Sequence, residues 1–458
     1  MIPDAWRREG SVVAVVGLGK SGVAATKLLA REGARVYASD ASDHPYGGAA
    51  VAELRGLAGV EVDVGRHDLA KIRSAAGVVV SPGVPPDAAP LAAARTAGVP
   101  VVSEIDLGFR ALAGSGTRCI AITGTNGKTT TTALVAHLLR AAGLQAEAAG
   151  NIGRPLADIA VTGDHYQWLA VEVSSFQLHD SPHFAPEIGI LTNLAPDHLD
   201  RYPSVDAYYH DKQLLFSNAR ARDVWVLNGD DPAALELPGS APGRRVLFSL
   251  RRPADGWYDS AARRLRLGEG GGEGGELVPR DELRLLGDHN VANALAAALA
   301  VREAGVAPGA IAQGLRSFRA LPHRLEPVRE VGGVLWINDS KATNIASTVV
   351  AVEAMDRPFV LLLGGRHKGE PYTRLAPLLA GKCRLVIAFG EAGTIVAQDL
   401  EGKVPLERGT TFADVVARAR RAAQRGDVVL LSPACSSYDM FKNYEERGAL
   451  FRKLVEEM

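Results

Sequence analysis

The chain has 458 residues with 51 basic against 52 acidic side chains, a net charge of −1, so electrostatics give no case for nucleic acid or an anionic membrane as a partner. Its length predicts about three domains with separate cores, and 47% hydrophobic residues with only 6% aromatics suit tightly packed α/β layers. The opening residues lack the apolar core of a secretory signal, no apolar stretch is long enough to span a bilayer, and Cys119, Cys383 and Cys435 are too few and too unevenly spaced for a disulfide framework or a metal cluster; a cytoplasmic protein with buried free thiols is expected.

Along the chain short β-type runs alternate with helix-type runs, which predicts parallel sheets joined by crossover helices. Residues 11–16 read as a buried strand, followed by Gly17-Leu-Gly-Lys-Ser-Gly22, a helix to about Arg31 and a strand ending at Asp40. This matches the dinucleotide fingerprint, including an acid about 20 residues on. The same glycines serve any diphosphate resting on the first helix of a doubly wound sheet, so NAD and a nucleoside-diphosphate substrate both stay open. Further strands are expected at 60–64, 77–81 and 100–103, and the polar, Gly-rich 113–117 reads as a linker.

The apolar run 119–123 leads into Gly124-Thr-Asn-Gly-Lys-Thr-Thr130. A strand, a Gly turn, then Lys, Thr and a helix describe a phosphate cradle, shorter than the usual one because Ile122 stands where its first Gly would be. Backbone N–H groups of the loop residues Thr125, Asn126, Gly127 and Thr130 and the N-terminal dipole of the helix at about Thr129 to Ala142 would face nucleotide phosphates. Lys128 would add a point charge and Thr129 a Mg²⁺ ligand. The strand at 168–172 ends in Glu172, which at the carboxyl edge of the sheet can also hold Mg²⁺.

Another strand, 188–193, feeds Asp197-His-Leu-Asp200 at the same edge; helix capping would explain either Asp, and a lone His such as His198 is usually structural. Lys212, about fourteen residues on, would by itself read as a solvated surface charge. The Gly/Glu-rich 268–275 is expected as a mobile surface loop, and a helix near 290–304 closes the block. Leu321-Pro-His-Arg324 marks a boundary, after which strands are expected at 333–338, 359–363, 384–389 and 428–431.

Taken together, Gly124 to Thr130, Glu172-Val-Ser-Ser-Phe-Gln177, Asp197-His198, Gly287-Asp-His-Asn-Val-Ala-Asn293 and His323-Arg324 resemble the Mur ligase family, over essentially the whole chain and in order. Asn338-Asp-Ser-Lys-Ala-Thr-Asn344, Leu361-Leu-Leu-Gly-Gly365 with Lys368, and the run from Leu431 to Gly448 resemble its D-glutamate-adding member. The resemblance implies an α/β protein of three domains: a Rossmann-like domain for a UDP-linked substrate (1–114), a central phosphate-loop ATPase domain with a mainly parallel sheet (115–320), and a Rossmann-like domain for the incoming amino acid (321–458). It implies ATP-dependent amide-bond formation through an acyl phosphate, with ATP and Mg²⁺ as cofactors. It reassigns Gly17 to Gly22 to a uridine diphosphate, with Gly19, Lys20 and Ser21 as contacts, Asp40 near the uracil or ribose, and Gly83 as a second backbone contact.

By the same resemblance His198 would hold a second Mg²⁺, supported by a carbamylated Lys212. Asn151, Ser174 and Gln177 would contact the muramyl substrate, Asn290 and Asn293 the adenine, Arg324 the ATP phosphates and Asp339 the ATP ribose. Lys368 with Thr343 would hold the side-chain carboxylate of D-glutamate, and Ser437 with the Tyr444 backbone its α-carboxylate. The partners implied are small molecules only, and near-zero net charge with short linkers is compatible with a monomer. An NAD-dependent oxidoreductase would leave the Lys128 loop unexplained, a non-catalytic nucleotide-binding scaffold need not keep Glu172, His198 and Lys212 together, and a folylpolyglutamate-type or other Mur-type ligase would share the central domain.

Overall fold

The computed structural model describes residues 2–46, 48–197, 201–268 and 275–458. His198, Asp200 and nearly all of the Gly/Glu-rich loop expected at 268–275 lie outside the described residues. Two compact units are present, Met1–Glu282 with Ala292–Ser317, and Leu283–Val291 with Phe318–Met458. They contain three sheets, one in each block expected from the sequence.

In the first unit β1 (Val12–Val16), β2 (Arg35–Asp40), β3 (Val60–Val64), β4 (Gly77–Val80) and β5 (Val101–Ser103) form an all-parallel sheet of order β3-β2-β1-β4-β5. The unbroken apolar run of β1 follows from burial on both faces. Val13 and Val15 pack with Leu28 and Leu29 on one side, while Ala14 and Val16 pack with Ile72 and Leu91 on the other. The strand order reverses between β1 and β4, which opens a cleft at their carboxyl ends.

The same unit carries β6 (Arg118–Thr123), β7 (Ala146–Gly150), β8 (Trp168–Glu172), β9 (Ile188–Leu191), β10 (Val224–Asn228), β11 (Arg244–Ser249), β12 (Gly256–Asp259), β13 (Arg264–Leu267) and β14 (Gly275–Pro279). Their order is β14-β13-β12-β11-β10-β9-β6-β8-β7, so β6 has β9 and β8 at its flanks and its loop opens at a second reversal point. β12 to β14 pair antiparallel, extending an otherwise parallel sheet.

The two sheets are joined by polar contacts around the start of helix Glu104–Ala111. Ser103 N donates to Asp180 O at 2.6 Å, and the Ser103 and Ser181 hydroxyls stand 2.6 Å apart. Glu104 Oε1 accepts from Ala157 N at 2.7 Å, and Asp106 accepts from His183 N at 2.7 Å. A Cβ on Gly108 would lie 2.5 Å from Leu156 Cβ, so only glycine admits this approach.

In the second unit β15 (Glu326–Val331), β16 (Val334–Asn338), β17 (Phe359–Gly364), β18 (Cys383–Phe389), β19 (Leu406–Arg408) and β20 (Val428–Leu431) take the order β15-β16-β20-β17-β18-β19, parallel except for β15. Leu361, Leu363 and Leu430 face Ile345 and Val396, while Val360, Leu362 and Val429 face Val415 and Phe451. The loops that follow β16, β20 and β17 emerge side by side. Cys119, Cys383 and Cys435 are buried and unpaired. Among the described residues no helix is long and apolar enough to cross a membrane.

Candidate active site

Gly19, Lys20, Ser21, Asp40 and Gly83 line one cavity of about 460 Å³ in the cleft between β1 and β4. Gly17 adopts φ +88°, and a Cβ on Gly22 would lie 1.8 Å from Gly17 O, which lets helix Lys20–Arg31 approach the strand end and present its N-terminus. Asp40 accepts from Leu18 N at 2.6 Å and from Ser42 N at 2.8 Å. It thus holds the glycine loop and its own turn, in addition to facing the cavity. Lys20 Nζ donates to Gly153 O at 2.9 Å. The same wall includes His67, which the sequence reading passed over; its Nδ1 stands 2.9 Å from Ser39 Oγ, and burial pulls its pKa down against the pull of Asp40.

The turn after β6 is held by the segment that follows β9. Thr125 N donates to Asn193 O at 2.9 Å and Asn126 N to Asn193 Oδ1 at 2.9 Å. Gly124 and Gly127 have φ +142° and +84°, and a Cβ on Gly127 would stand 2.3 Å from Asn293 Oδ1. Gly127 caps helix Lys128–Ala141, so Thr129 and Thr130 lie in its first turn. Lys128 Nζ donates to Gly124 O at 2.9 Å and Thr125 O at 2.8 Å, and Lys212 Nζ donates to the same Gly124 O at 2.9 Å.

Lys212 is no surface charge: it is 1% exposed, in helix Val205–Gln213. Burial holds its amine well below the usual lysine range and Lys128 adds repulsion, against the opposing pull of Asp197 and Asp211. Glu172 pairs in register with Ile122, two residues before the loop. It is 2% exposed, its Oε1 accepts from Asn151 Nδ2 at 2.8 Å, and its Oε2 is buried with no hydrogen-bond partner among the described residues.

An orphaned buried carboxylate oxygen is costly unless a cation or donor meets it. The residues therefore fit a divalent cation beside the phosphate loop, with Thr129 and Glu172 as oxygen donors. Among the described residues no group of three or more His, Cys, Asp or Glu could hold a metal by itself. Ser174 and Gln177 form a capping box on helix Ser175–His179, which commits the Gln177 carbonyl and leaves Nε2 without a partner among the described residues.

In the second unit Asn290 donates through Nδ2 to Leu286 O at 2.8 Å; helix Asp288–Glu303 starts before it, so it is not the N-cap. Arg324 lies between two non-glycine residues in the left-handed region, His323 at φ +63° and Leu325 at φ +42°. Asp339 is 8% exposed, accepts from Leu325 N at 3.2 Å and from Ser432 Oγ at 2.8 Å, and burial pushes its pKa up to about 7. Thr343 follows β16, Lys368 follows β17 and is exposed, and Ser437, 2% exposed, follows β20. Tyr444 opens helix Tyr444–Glu456, and its carbonyl accepts from Ser340 Oγ at 2.9 Å.

The parallel sheets, the loop at Gly124 and the buried acid define a nucleotide-dependent α/β enzyme that handles phosphate. Three family models cover the chain: a Mur ligase MurD-like N-terminal domain at residues 11–103, a Mur ligase middle domain at 122–301, and a Mur ligase glutamate ligase domain at 323–435. It is 43% identical over 469 residues to the UDP-N-acetylmuramoylalanine--D-glutamate ligase of Salinibacter ruber, covering 100% of this chain and 99% of that one. It is likewise 43% identical over 453 residues to the enzyme of that name from Myxococcus xanthus, covering 98% of each. Among solved structures it resembles a UDP-N-acetylmuramate-alanine ligase from Thermotoga maritima, with a TM-score of 0.63, 20% identity and coverage of 97% and 99%, a likeness of fold. The chain belongs to the Mur ligase family.

Proposed function

We propose that this chain is an ATP-dependent ligase that joins D-glutamate to UDP-N-acetylmuramoyl-L-alanine, releasing ADP and phosphate, in the synthesis of the cytoplasmic peptidoglycan precursor. Full-length relatives that bear the name of this activity support it. The observation that carries it is the cluster of Lys128, Lys212 and the half-satisfied Glu172 around one phosphate loop.

The γ-phosphoryl group of ATP passes to the alanine carboxylate, forming an acyl phosphate and ADP. The amine of D-glutamate attacks the acyl carbon, loses a proton, and the tetrahedral intermediate expels phosphate. Each step gathers negative charge at one place, and fixed positive groups lower its energy. Lys128 is poised to exchange its two loop carbonyls for phosphate oxygens, while the amides of Gly124 to Thr130 meet the rest of the triphosphate. Asn293 lies against Gly127 and can reach the adenine, with Asn290, Arg324 and Asp339 proposed as its companions on ATP. Mg²⁺, held by Thr129 and Glu172, would supply charge neutralisation on the phosphoryl group.

Lys212 is proposed to carry a carbamate. Its buried amine is favoured in the neutral form, which adds to CO₂ and loses one proton, turning a neutral group into an anion that attracts Lys128. With His198, that anion would serve a second Mg²⁺ near the alanine carboxylate. Gly19, Lys20, Ser21, Asp40 and Gly83 would take the uridine diphosphate, Asn151, Ser174 and Gln177 the muramyl part, and Thr343, Lys368, Ser437 and Tyr444 the D-glutamate. Domain borders at 114 and 320 and a monomeric state with small-molecule partners belong to the same proposal.

Phosphate release from ATP with UDP-N-acetylmuramoyl-L-alanine and Mg²⁺, compared with D-glutamate, L-glutamate and no amino acid, tests the reading. Release that requires D-glutamate and yields an amide supports it; equal release with L-glutamate would change the specificity assigned, and no release would refute the activity.

A further inference from the structure

Arg447, in the first turns of helix Tyr444–Glu456, has 0% exposure. A buried guanidinium is costly unless its N–H groups are satisfied. Its Nε donates to Ser340 Oγ at 2.9 Å, Nη2 to Ser340 O at 2.8 Å, and both terminal nitrogens to Cys435 O at 3.1 Å. All four contacts fall on neutral oxygens, none on a carboxylate. Asp439 and Asp339 act on it only through space, and burial favours the protonated form of Asp339. Burial draws the guanidinium down to about 10, which leaves it charged at neutral pH.

The segments it ties are the ones that carry the residues assigned to the amino acid. Ser340 stands three residues before Thr343 in the loop after β16, and Cys435 two before Ser437 in the loop after β20. Ser340 Oγ, having accepted from Arg447, donates to Tyr444 O at 2.9 Å. The loop after β17, which leads to Lys368, presses on the same group: a Cβ on Gly365 would lie 3.1 Å from Arg447 Nη1 and 2.3 Å from Ser436 O. Arg366 N donates to Ser436 O at 2.8 Å, joining that loop to the one after β20.

We propose that Arg447 is the positioning residue of the amino-acid site, a buried cation that holds its three loops in register and biases the site toward a dicarboxylate. The inference rests on the reading of these loops as the D-glutamate site given above. A charge held on carbonyl dipoles in a dry interior keeps more of its field than one in water. An amino acid bringing two carboxylates and one ammonium group has the net charge this field selects.

The test measures KM for D-glutamate, ATP and the UDP-linked substrate in wild type, Arg447→Lys, Arg447→Met and Ser340→Ala. Lysine keeps the charge without the planar fork, methionine keeps the bulk without the charge, and Ser340→Ala removes the Nε acceptor and leaves the guanidinium in place. The expected result is a D-glutamate KM raised about tenfold by Arg447→Lys and about a hundredfold by Arg447→Met, with the other two KM values within about twofold of wild type. Ser340→Ala should raise the D-glutamate KM alone, which keeps the inference testable if the Arg447 variants fail to fold. A D-glutamate KM unchanged in Arg447→Lys and in Ser340→Ala, or an equal rise in all three constants, would overturn it. Wild-type protein that releases no phosphate with D-glutamate would instead refute the activity on which the inference stands.

Discussion

Two lysine amines, Lys128 and Lys212, converge on the carbonyl of Gly124. Two like charges within a few ångströms in a dry site are unfavourable by several kcal/mol, so the pair is stable only if one is neutral or modified. Lys128→Met is expected to lower the rate of phosphate release about a hundredfold to a thousandfold, with a thermal midpoint close to wild type, because its side chain is only partly buried. If Lys212 is carbamylated, ¹³CO₂-equilibrated protein should show a carbamate carbon resonance that is missing in Lys212→Met; its absence in wild type would leave the buried amine neutral. Lys128 and Glu172 were legible in the sequence because strand, turn and helix are contiguous there. The burial of Lys212 was not, since it depends on a partner 88 residues away. Asp40, Gln177 and Asp339 were legible as positions; the bonds of Asp40 to Leu18 and of Asp339 to Ser432 come only with the tertiary structure, whereas the capping box of Ser174 and Gln177 is local and was passed over.

Among elements, the parallel strands that the sequence reading named, β1 to β6, β8, β9, β16 to β18 and β20, were placed within one or two residues, because unbroken apolar runs between glycine turns leave little choice, whereas the parallel strands β7, β10, β11 and β19 were not read. The antiparallel additions escaped. β13 is only four residues long, with arginines at alternate positions, and β15 carries a proline and three charged residues on an exposed edge. The glycine fingerprint was legible as geometry and ambiguous as to ligand, since β1 and its helix would look the same for NAD. Gly22→Ala tests the element: with its Cβ driven onto Gly17 O, the helix must retreat from the strand. The KM for the UDP-linked substrate should then rise about tenfold or more, with the KM for ATP little changed. A parallel rise in both would mean that the cradle and the phosphate loop are not independent.

At the scale of the molecule, the contacts that join the first two sheets include a titrating group. Glu104 is 1% exposed, and burial raises its carboxyl to about 7 although Ala157 N stabilises the anion. Because the folded state holds this proton more tightly than the unfolded one, its stabilising effect is complete below about pH 4.5 and is lost as pH rises through about 7. Glu104→Gln, which keeps an acceptor for Ala157 N without the charge, should gain stability at pH 8 relative to wild type by on the order of 3 kcal/mol. Chemical denaturation at pH 5 and pH 8 would show it; a difference independent of pH would mean that the carboxyl titrates elsewhere. The three-block organisation was legible from the alternation of runs, whereas this junction was not, since Ser103, Glu104 and Asp106 carry no local sign of their partners 53 to 78 residues away.

The same junction sets a length. Ser103, Glu104 and Asp106 are fastened to Asp180, Ser181, Ala157 and His183, and Lys20 to Gly153, so the sheet that carries the glycine cleft is tied directly to the one that carries the loop at Gly124. If the glycine cleft takes the diphosphate and the loop at Gly124 the reacting carboxylate, as proposed, these ties set the span between them. A substrate analogue one bond longer or shorter between those two groups should then be turned away by reach, however well its nucleotide end is held.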